Sequence, residues 1–416
     1  MKYFSLNTIK TPRSIEQVIR TANNELPAEQ AGMIQIQVEQ IWQAAQRLYQ
    51  NGNHPMLSIC IRRQGQIVLN RSIGHAQGNG LHDALDNAKV IATPDTPVCL
   101  FSASKVVTAV LIHLLHERGL IHLNDAVTKY IPEYAAEGKQ GTTILHLLTH
   151  RGGIPRLDGN ISPELMFDTK AIIQLLCAAK PIYPTGTRQA YHAVSAGYIL
   201  GEIIERVTGQ NASEFLQENI AKPMDMPYFD YGLAPQYHYL VASNSATGMH
   251  AHLGTNQFFS RALGGSLDQI IEVTNHASFM QVICPAANIF TSAEQINRFF
   301  DMLLHQGMYQ GKQIIKAETI RNAILPQTGM SFDHTLWAPM RYSSGFMLGA
   351  NPIGMYGPQT GQAFGHLGLS NIFCWADPQR DISVSILNTG KSIVGTHLPA
   401  LIRLLFSISR ACPSVD

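Results

Sequence analysis

Ser102-Ala103-Ser104-Lys105 opens the apolar stretch Val106 to Leu115. On a helix, positions i and i+3 share a face, so Ser102 Oγ and the Lys105 amine can meet. A serine hydroxyl becomes a good nucleophile when a neighbouring base takes its proton. A lysine packed against Val106, Val107 and Val110 loses its own proton more readily than a solvated one, because burial disfavours the ammonium form. A helix N-terminus adds positive potential where an anion would form. The chemistry implied is covalent catalysis through a serine.

The tetrad by itself also occurs as an ordinary helix start followed by a solvated lysine. Its flanks argue against that reading. Val98-Cys99-Leu100-Phe101 runs into it as an extended apolar segment, and branched aliphatics follow it.

Two more segments carry suitable groups. Pro184-Thr185-Gly186-Thr187-Arg188-Gln189-Ala190-Tyr191-His192-Ala193 presents Tyr191 between a Pro/Gly loop and a helix. A phenol beside a lysine is expected to have a depressed pKa and to accept a proton. The alternative is a half-buried core aromatic with its hydroxyl on a backbone carbonyl. Phe364-Gly365-His366-Leu367-Gly368-Leu369-Ser370 precedes a strand. Glycine on a strand lets another backbone approach closely. The Leu369 amide, beside Gly368, could then pair with the Ser102 amide to hold an oxyanion. The alternative is a glycine-containing turn.

The surrounding periodicity says what positions these residues. Residues 33–50 show a 3.6-residue apolar face (Ile34, Val38, Ile41, Trp42, Ala45, Leu48), which predicts a helix. Met56–Arg62 and Gln66–Ile73 read as strands of a hairpin. The helix begun by the tetrad should run to Arg118 and stop at Gly119. From there to about residue 220 helices dominate, with Thr142-Thr143 capping one and Ser213 placed as the N-cap of another. Residues 225–265 show no period, which suggests a pocket wall or lid. A helix at 292–306, strands at 345–348, 372–375 and 382–387, and a last helix at 395–408 complete the chain.

Strands at both ends with helices between predict an α/β (α+β) protein. Its mainly antiparallel sheet would be built from both termini. The expected division is a discontinuous sheet domain, 1–100 with 285–416, and a mostly helical domain, 101–284, with the active site at their interface.

Composition narrows the function classes. Hydrophobic residues make up 45% and charged ones 14%, enough for a large core and unlike a disordered chain. A net charge of +1 argues against nucleic-acid binding through phosphates. No apolar run is long enough to span a membrane, and Met1–Gln30 lacks the apolar segment of a secretory signal, so a cytoplasmic location is expected. The six cysteines form no C-x-x-C pair and read as buried thiols. Neither they nor the histidines form a metal motif, so no metal and no cofactor are expected. Gly390-Lys391-Ser392 ends like a phosphate loop, but the upstream glycine is replaced by Ser385. No G-x-S-x-G is present.

Ser-x-x-Lys, then Tyr, then His-x-Gly, in that order, resembles the serine β-lactamase-like superfamily, particularly class C β-lactamases, family VIII carboxylesterases and penicillin-binding proteins. Leu145-His146-Leu147-Leu148-Thr149-His150 with Gly152-Gly153-Ile154-Pro155 and the stretch Gly197 to Gly209 look like further family segments. The likeness covers roughly residues 50 to 405. It implies Ser102 as nucleophile, Lys105 as its activating partner and Tyr191 as second general base. His366-Leu367-Gly368 stands where β-lactamases have Lys-Thr-Gly, and Tyr191-His192-Ala193 lacks the asparagine of Tyr-x-Asn. Both departures weaken recognition of a β-lactam and leave the acylation groups in place. The expectation is a serine hydrolase acting on short or medium acyl esters, with a small-molecule ester or amide as its partner. The alternatives are a β-lactamase or D-Ala-D-Ala peptidase, an acyltransferase, and a catalytically silent scaffold. Oligomeric state is not legible.

Overall fold

Both ends of the chain supply strands to one antiparallel sheet. The computed structural model describes residues 6–415 apart from 85, 158–161, 250–258, 260–264 and 394. Among the described residues eight strands form this sheet. They are β1 (Ile19–Thr21), β2 (Met56–Arg63), β3 (Gln66–Gln77), β4 (Val90–Ile91), β5 (Met347–Leu348), β6 (Phe364–Gly368), β7 (Ile372–Asp377) and β8 (Ile382–Asn388). Their order is β5-β6-β7-β8-β2-β3-β1, with β4 also on β3. The two chain ends join where β8 pairs β2, from Ile382↔Arg63 to Asn388↔Leu57. Arg63 pairs Gln66, so Gln64 and Gly65 alone make the first hairpin turn. Both have positive φ, 51° and 71°. A two-residue turn of that hand matches the right-handed twist of the strands it joins.

Five longer helices flank the sheet: α1 (Gln35–Gln50), α2 (Ser104–Glu117), α3 (Ser195–Thr208), α4 (Ala293–Leu304) and α5 (Leu398–Ala411). Side chains alternate across a strand, and each face of β2 feeds a different core. Leu57, Ile59 and Ile61 pack with α1 and α5, whereas Met56 and Cys60 join the core that contains α2, α3 and α4. Arg62 reinforces the second face. It pairs with Glu294 and donates to Asn297 Oδ1 at 2.6 Å, tying β2 to α4.

The local expectations are met closely for α1, β2, β3 and α2, which ends at Glu117 with Gly119 at φ 70°. Thr143 caps its helix by accepting the His146 amide. Three details differ. The cap expected at Ser213 is Asn211, whose side chain accepts the Glu214 amide while Glu214 returns a bond to the Asn211 amide. Ser213 Oγ instead bonds Asp230 at 2.7 Å. The strand expected from Gly345 starts at Met347. The last helix starts at Leu398 with Pro399 in its first turn, where the missing N–H costs nothing. The irregular segment 225–265 falls partly outside the described residues; its described portion includes a short helical turn at Pro235–Leu240. All six cysteines are buried and unpaired.

Candidate active site

Ile289 clamps the chain on both sides of Ser102. Its carbonyl accepts the Leu100 amide at 2.8 Å, and its amide donates to Ser104 Oγ at 3.0 Å. Ser104 is thereby a buried structural hydroxyl. Between these anchors Phe101 takes φ 48°, a left-handed conformation that costs a non-glycine residue about 1–3 kcal/mol. The strain lifts Ser102 onto a 3₁₀ turn, Phe101–Ala103, just ahead of α2. Ser102 stays partly exposed, while residues 104–115 of α2 are all buried. A helix apolar on every side belongs in a core, so α2 is a fixed base for the turn.

The Lys105 amine lies 3.2 Å from Ser102 Oγ. It also donates to the carbonyls of Ala193, at 2.6 Å, and Ala286, at 3.0 Å. Gly197 on α3 makes the second contact possible, because a Cβ there would sit 2.6 Å from Ala286 Cβ. Among the described residues no carboxylate pairs with Lys105. Burial therefore dominates and pulls its pKa down to about 7, with Cys284 pulling slightly the other way. A cavity of about 20 Å³ lies behind the amine, lined by Lys105, Thr108, His150, Leu147, Gly197 and Gly345; that is room for one water.

Tyr191 is buried at 5% exposure, with its ring centroid 5.0 Å from Lys105 Nζ. Its other neighbours are His150, at 4.6 Å between centroids, and His366, at 6.1 Å. Its amide donates to Asp333 Oδ1 at 3.0 Å. Burial raises the phenol pKa, and the Asp333 charge adds to this. The nearby Ser102 hydroxyl lowers it, but not enough to compensate. The expected depressed pKa is thus corrected: desolvation sets the direction, and Tyr191 rests as a neutral phenol. The Ser102 contact falls short of full hydrogen-bond geometry, which leaves Tyr191 Oη buried without a formed bond among the described residues.

His366 is buried on β6, and its Nδ1 lies 2.7 Å from the Leu367 carbonyl. A carbonyl only accepts, so Nδ1 carries the proton and Nε2 the lone pair. Burial first, then Lys105, pushes its pKa down to about 3, against the Leu367 bond. The ring is neutral. Gly368 brings the end of β6 against the Ser102 turn: a Cβ on it would lie 2.4 Å from the Leu100 carbonyl. Leu369 follows, at the start of the turn Leu369-Ser370-Asn371, in which Ser370 and Asn371 have φ of 51° and 67°.

Ser102, Lys105, Tyr191, His366 and Gly368 therefore converge on one corner, with Leu369 at its edge. Sequence reasoning missed several partners. The Ala193 and Ala286 carbonyls are backbone groups that any residue type supplies. Asp333 lies 142 positions from Tyr191 in a stretch without a motif. His150 falls in a family-like segment, but only the fold shows its contact with Tyr191. A larger groove of about 420 Å³ lies on the α1/α5 face, away from Ser102. Among the described residues no three of His, Cys, Asp and Glu cluster to hold a metal, and no helix is long and apolar enough to cross a membrane.

The antiparallel sheet, its flanking helices and the serine-lysine turn at the head of α2 define a protein of the β-lactamase fold. The Beta-lactamase family model matches residues 41–403, and the chain belongs to that family of hydrolases. Among curated proteins it is 27% identical to "Esterase/beta-lactamase LipL" of Mycobacterium tuberculosis (strain ATCC 25618 / H37Rv), over 71% of this chain and 69% of the relative. Among solved structures it resembles a penicillin-binding protein homolog from Caulobacter crescentus, with TM-score 0.77 and 25% identity over 90% of this chain and 97% of the other. A family VIII carboxylesterase shares the fold with TM-score 0.75 and 24% identity, over 89% of this chain and 96% of the other.

Proposed function

We propose that this chain is a serine carboxylesterase that forms an acyl-enzyme on Ser102. One observation carries the reading: the Lys105 amine has three partners, Ser102 Oγ and the carbonyls of Ala193 and Ala286. A carbonyl only accepts. A neutral amine therefore directs its two N–H bonds at the two carbonyls and its lone pair at the Ser102 hydroxyl. That is the arrangement of a base ready to take the serine proton.

In the proposed reaction Ser102 Oγ attacks the ester carbonyl carbon as its proton passes to Lys105. The amides of Ser102 and Leu369 stabilise the oxyanion; one such donor is worth about 3 kcal/mol. The intermediate collapses, the C–O bond to the alcohol breaks, and the neutral Tyr191 phenol hands its proton to the departing oxygen. The Lys105 proton then restores the phenol. Water attacks the acyl-enzyme by the same route in reverse, releasing the acid.

Recognition supports esters over β-lactams. The neutral His366 offers no positive charge for a β-lactam carboxylate. Ala193 stands where an amide-binding asparagine would be, and its carbonyl is occupied by Lys105. The substrate class is a small-molecule ester with a short or medium acyl group. The reading includes a helical unit, 101–284, set into a sheet unit formed by 1–100 and 285–416, with substrate entering between them.

The test is labelling with a fluorophosphonate followed by peptide mass spectrometry. The expected adduct is on Ser102, and S102A should take up none. Labelling elsewhere, or undiminished esterase activity in S102A, removes Ser102 from the reaction.

A further inference from the structure

Of the three carboxylate side chains most withdrawn from solvent among the described residues, Glu294, Asp333 and Asp377, two have arginine partners. Glu294 pairs with Arg62 and Arg298, and Asp377 pairs with Arg380. Asp333 is fully buried and has no cation. Its Oδ1 accepts three backbone amides: Tyr191 at 3.0 Å, Thr335 at 2.9 Å and Leu336 at 2.9 Å. Its Oδ2 accepts the Tyr342 hydroxyl at 3.1 Å. A carboxyl group buried without a counter-charge depends on such hydrogen bonds.

The donors converge from separate parts of the chain. Asp333 ends one strand of a hairpin, Ser331–Asp333 with Ala338–Met340. The segment leading to Tyr191 is docked on that hairpin: Gln189 Nε2 bonds the Ser331 carbonyl at 3.2 Å and the Met340 carbonyl at 3.3 Å, and the His334 amide bonds the Gln189 carbonyl at 3.0 Å. Tyr342 stands against His150, at 4.8 Å between centroids, and His150 stands against Tyr191 at 4.6 Å. Asp333 thus grips Tyr191 twice, directly at its backbone and indirectly through the aromatic wall behind its ring. Tyr191 Oη has no formed hydrogen bond to steady it, so the phenol's position depends on these supports.

We propose that Asp333 is the positioning residue for Tyr191, holding the phenol where it can serve Ser102. The inference rests on the role assigned to Tyr191 above. Asp333 touches no reacting atom; it acts by removing freedom from the residue that does. A displacement of about 1 Å at such a group can cost 100-fold in rate.

The test is a kinetic cycle on p-nitrophenyl butyrate with D333A, D333N, Y191F and D333A/Y191F. Asparagine can keep its oxygen on the three amides and donate its nitrogen to the Tyr342 hydroxyl. D333A should lower kcat about 10- to 100-fold with KM within about twofold. D333N should recover most of that loss, and D333A should cost nothing further once Tyr191 is phenylalanine. Wild-type kcat in D333A, or an equal loss in the Y191F background, overturns the proposal; the latter is the mark of a merely structural residue. If D333A does not fold, D333S replaces it, since its shorter side chain cannot reach all three amides. Full activity in Y191F alone refutes the role of Tyr191, and the proposal for Asp333 falls with it.

Discussion

The Lys105 amine stands 5.0 Å from the centre of the Tyr191 ring, and the two groups are pushed in opposite directions by the same burial. Desolvation disfavours a charge of either sign. It brings the lysine down to about 7 and raises the tyrosine, so near neutrality a partly deprotonated lysine stands beside a neutral phenol. An aromatic face attracts an ammonium ion, but that attraction does not outweigh the loss of water. Activity should therefore rise with pH through about 7 as Lys105 loses its proton, and remain high above it because the phenol stays protonated. The pH profile of kcat/KM measures this in the free enzyme. K105A should lower kcat by a factor of about 10² or more at every pH. A profile that falls between pH 7 and 9 would exclude the amine as the base.

The same burial should make stability depend on pH. Lys391 is buried as well. It donates to the Asn388 carbonyl at 2.7 Å, stands 4.9 Å from the Phe101 ring centre, and is also brought down to about 7 by desolvation. Between about 7 and the ordinary lysine value of about 10.4, the unfolded chain binds protons that the native state has released, so raising the pH favours the native state. Below about 7 both states are protonated and the full cost of burying the two ions remains. Each lysine should add about 1.4 kcal/mol per pH unit within that window. Urea midpoints at pH 6, 7, 8 and 9 should climb for the native chain and climb less for K105M and K391M. Identical slopes in all three would show that these lysines do not control the linkage.

Gly368 permits the end of β6 to touch the Ser102 turn. An alanine there would drive its Cβ to 2.4 Å from the Leu100 carbonyl and 2.8 Å from Ile372 Cβ. A backbone carbonyl cannot move aside as a flexible side chain can, so the strand and the turn must separate. G368A should destabilise the fold by about 1–3 kcal/mol and lower kcat more than it raises KM, because the Leu369 amide moves away from Ser102. Thermal melts and steady-state kinetics on one preparation test both effects. Unchanged kcat would remove β6 from oxyanion binding.

On the proposed reading, the neutral His366 tilts the preference towards esters. Short p-nitrophenyl esters should turn over faster than a chromogenic cephalosporin, since the neutral His366 supplies no positive charge for the antibiotic's carboxylate. Competitive assays on the same enzyme sample give the ratio directly. Faster cephalosporin turnover would favour the β-lactamase reading.

Some of this was legible in the chain itself. Ser102 and Lys105 are three residues apart on a helix start, so local geometry alone brings them together. Apolar periodicity located α1, and two β-rich runs joined by Arg63-Gln64-Gly65 located the hairpin of β2 and β3, although Arg63 turned out to belong to the strand. These features depend on neighbours in sequence, which is why spacing reveals them.

Tertiary structure decided the rest. The carbonyls that accept from the Lys105 amine belong to Ala193 and Ala286, and a backbone carbonyl leaves no trace in residue type. Asp333 reaches Tyr191 only because a hairpin folds against a segment far away in the chain. The direction of the Tyr191 shift was set by the loss of water, which outweighs the lowering effect of the Ser102 hydroxyl. Sequence identifies the tyrosine, but only the packed interior sets how much water is excluded from it.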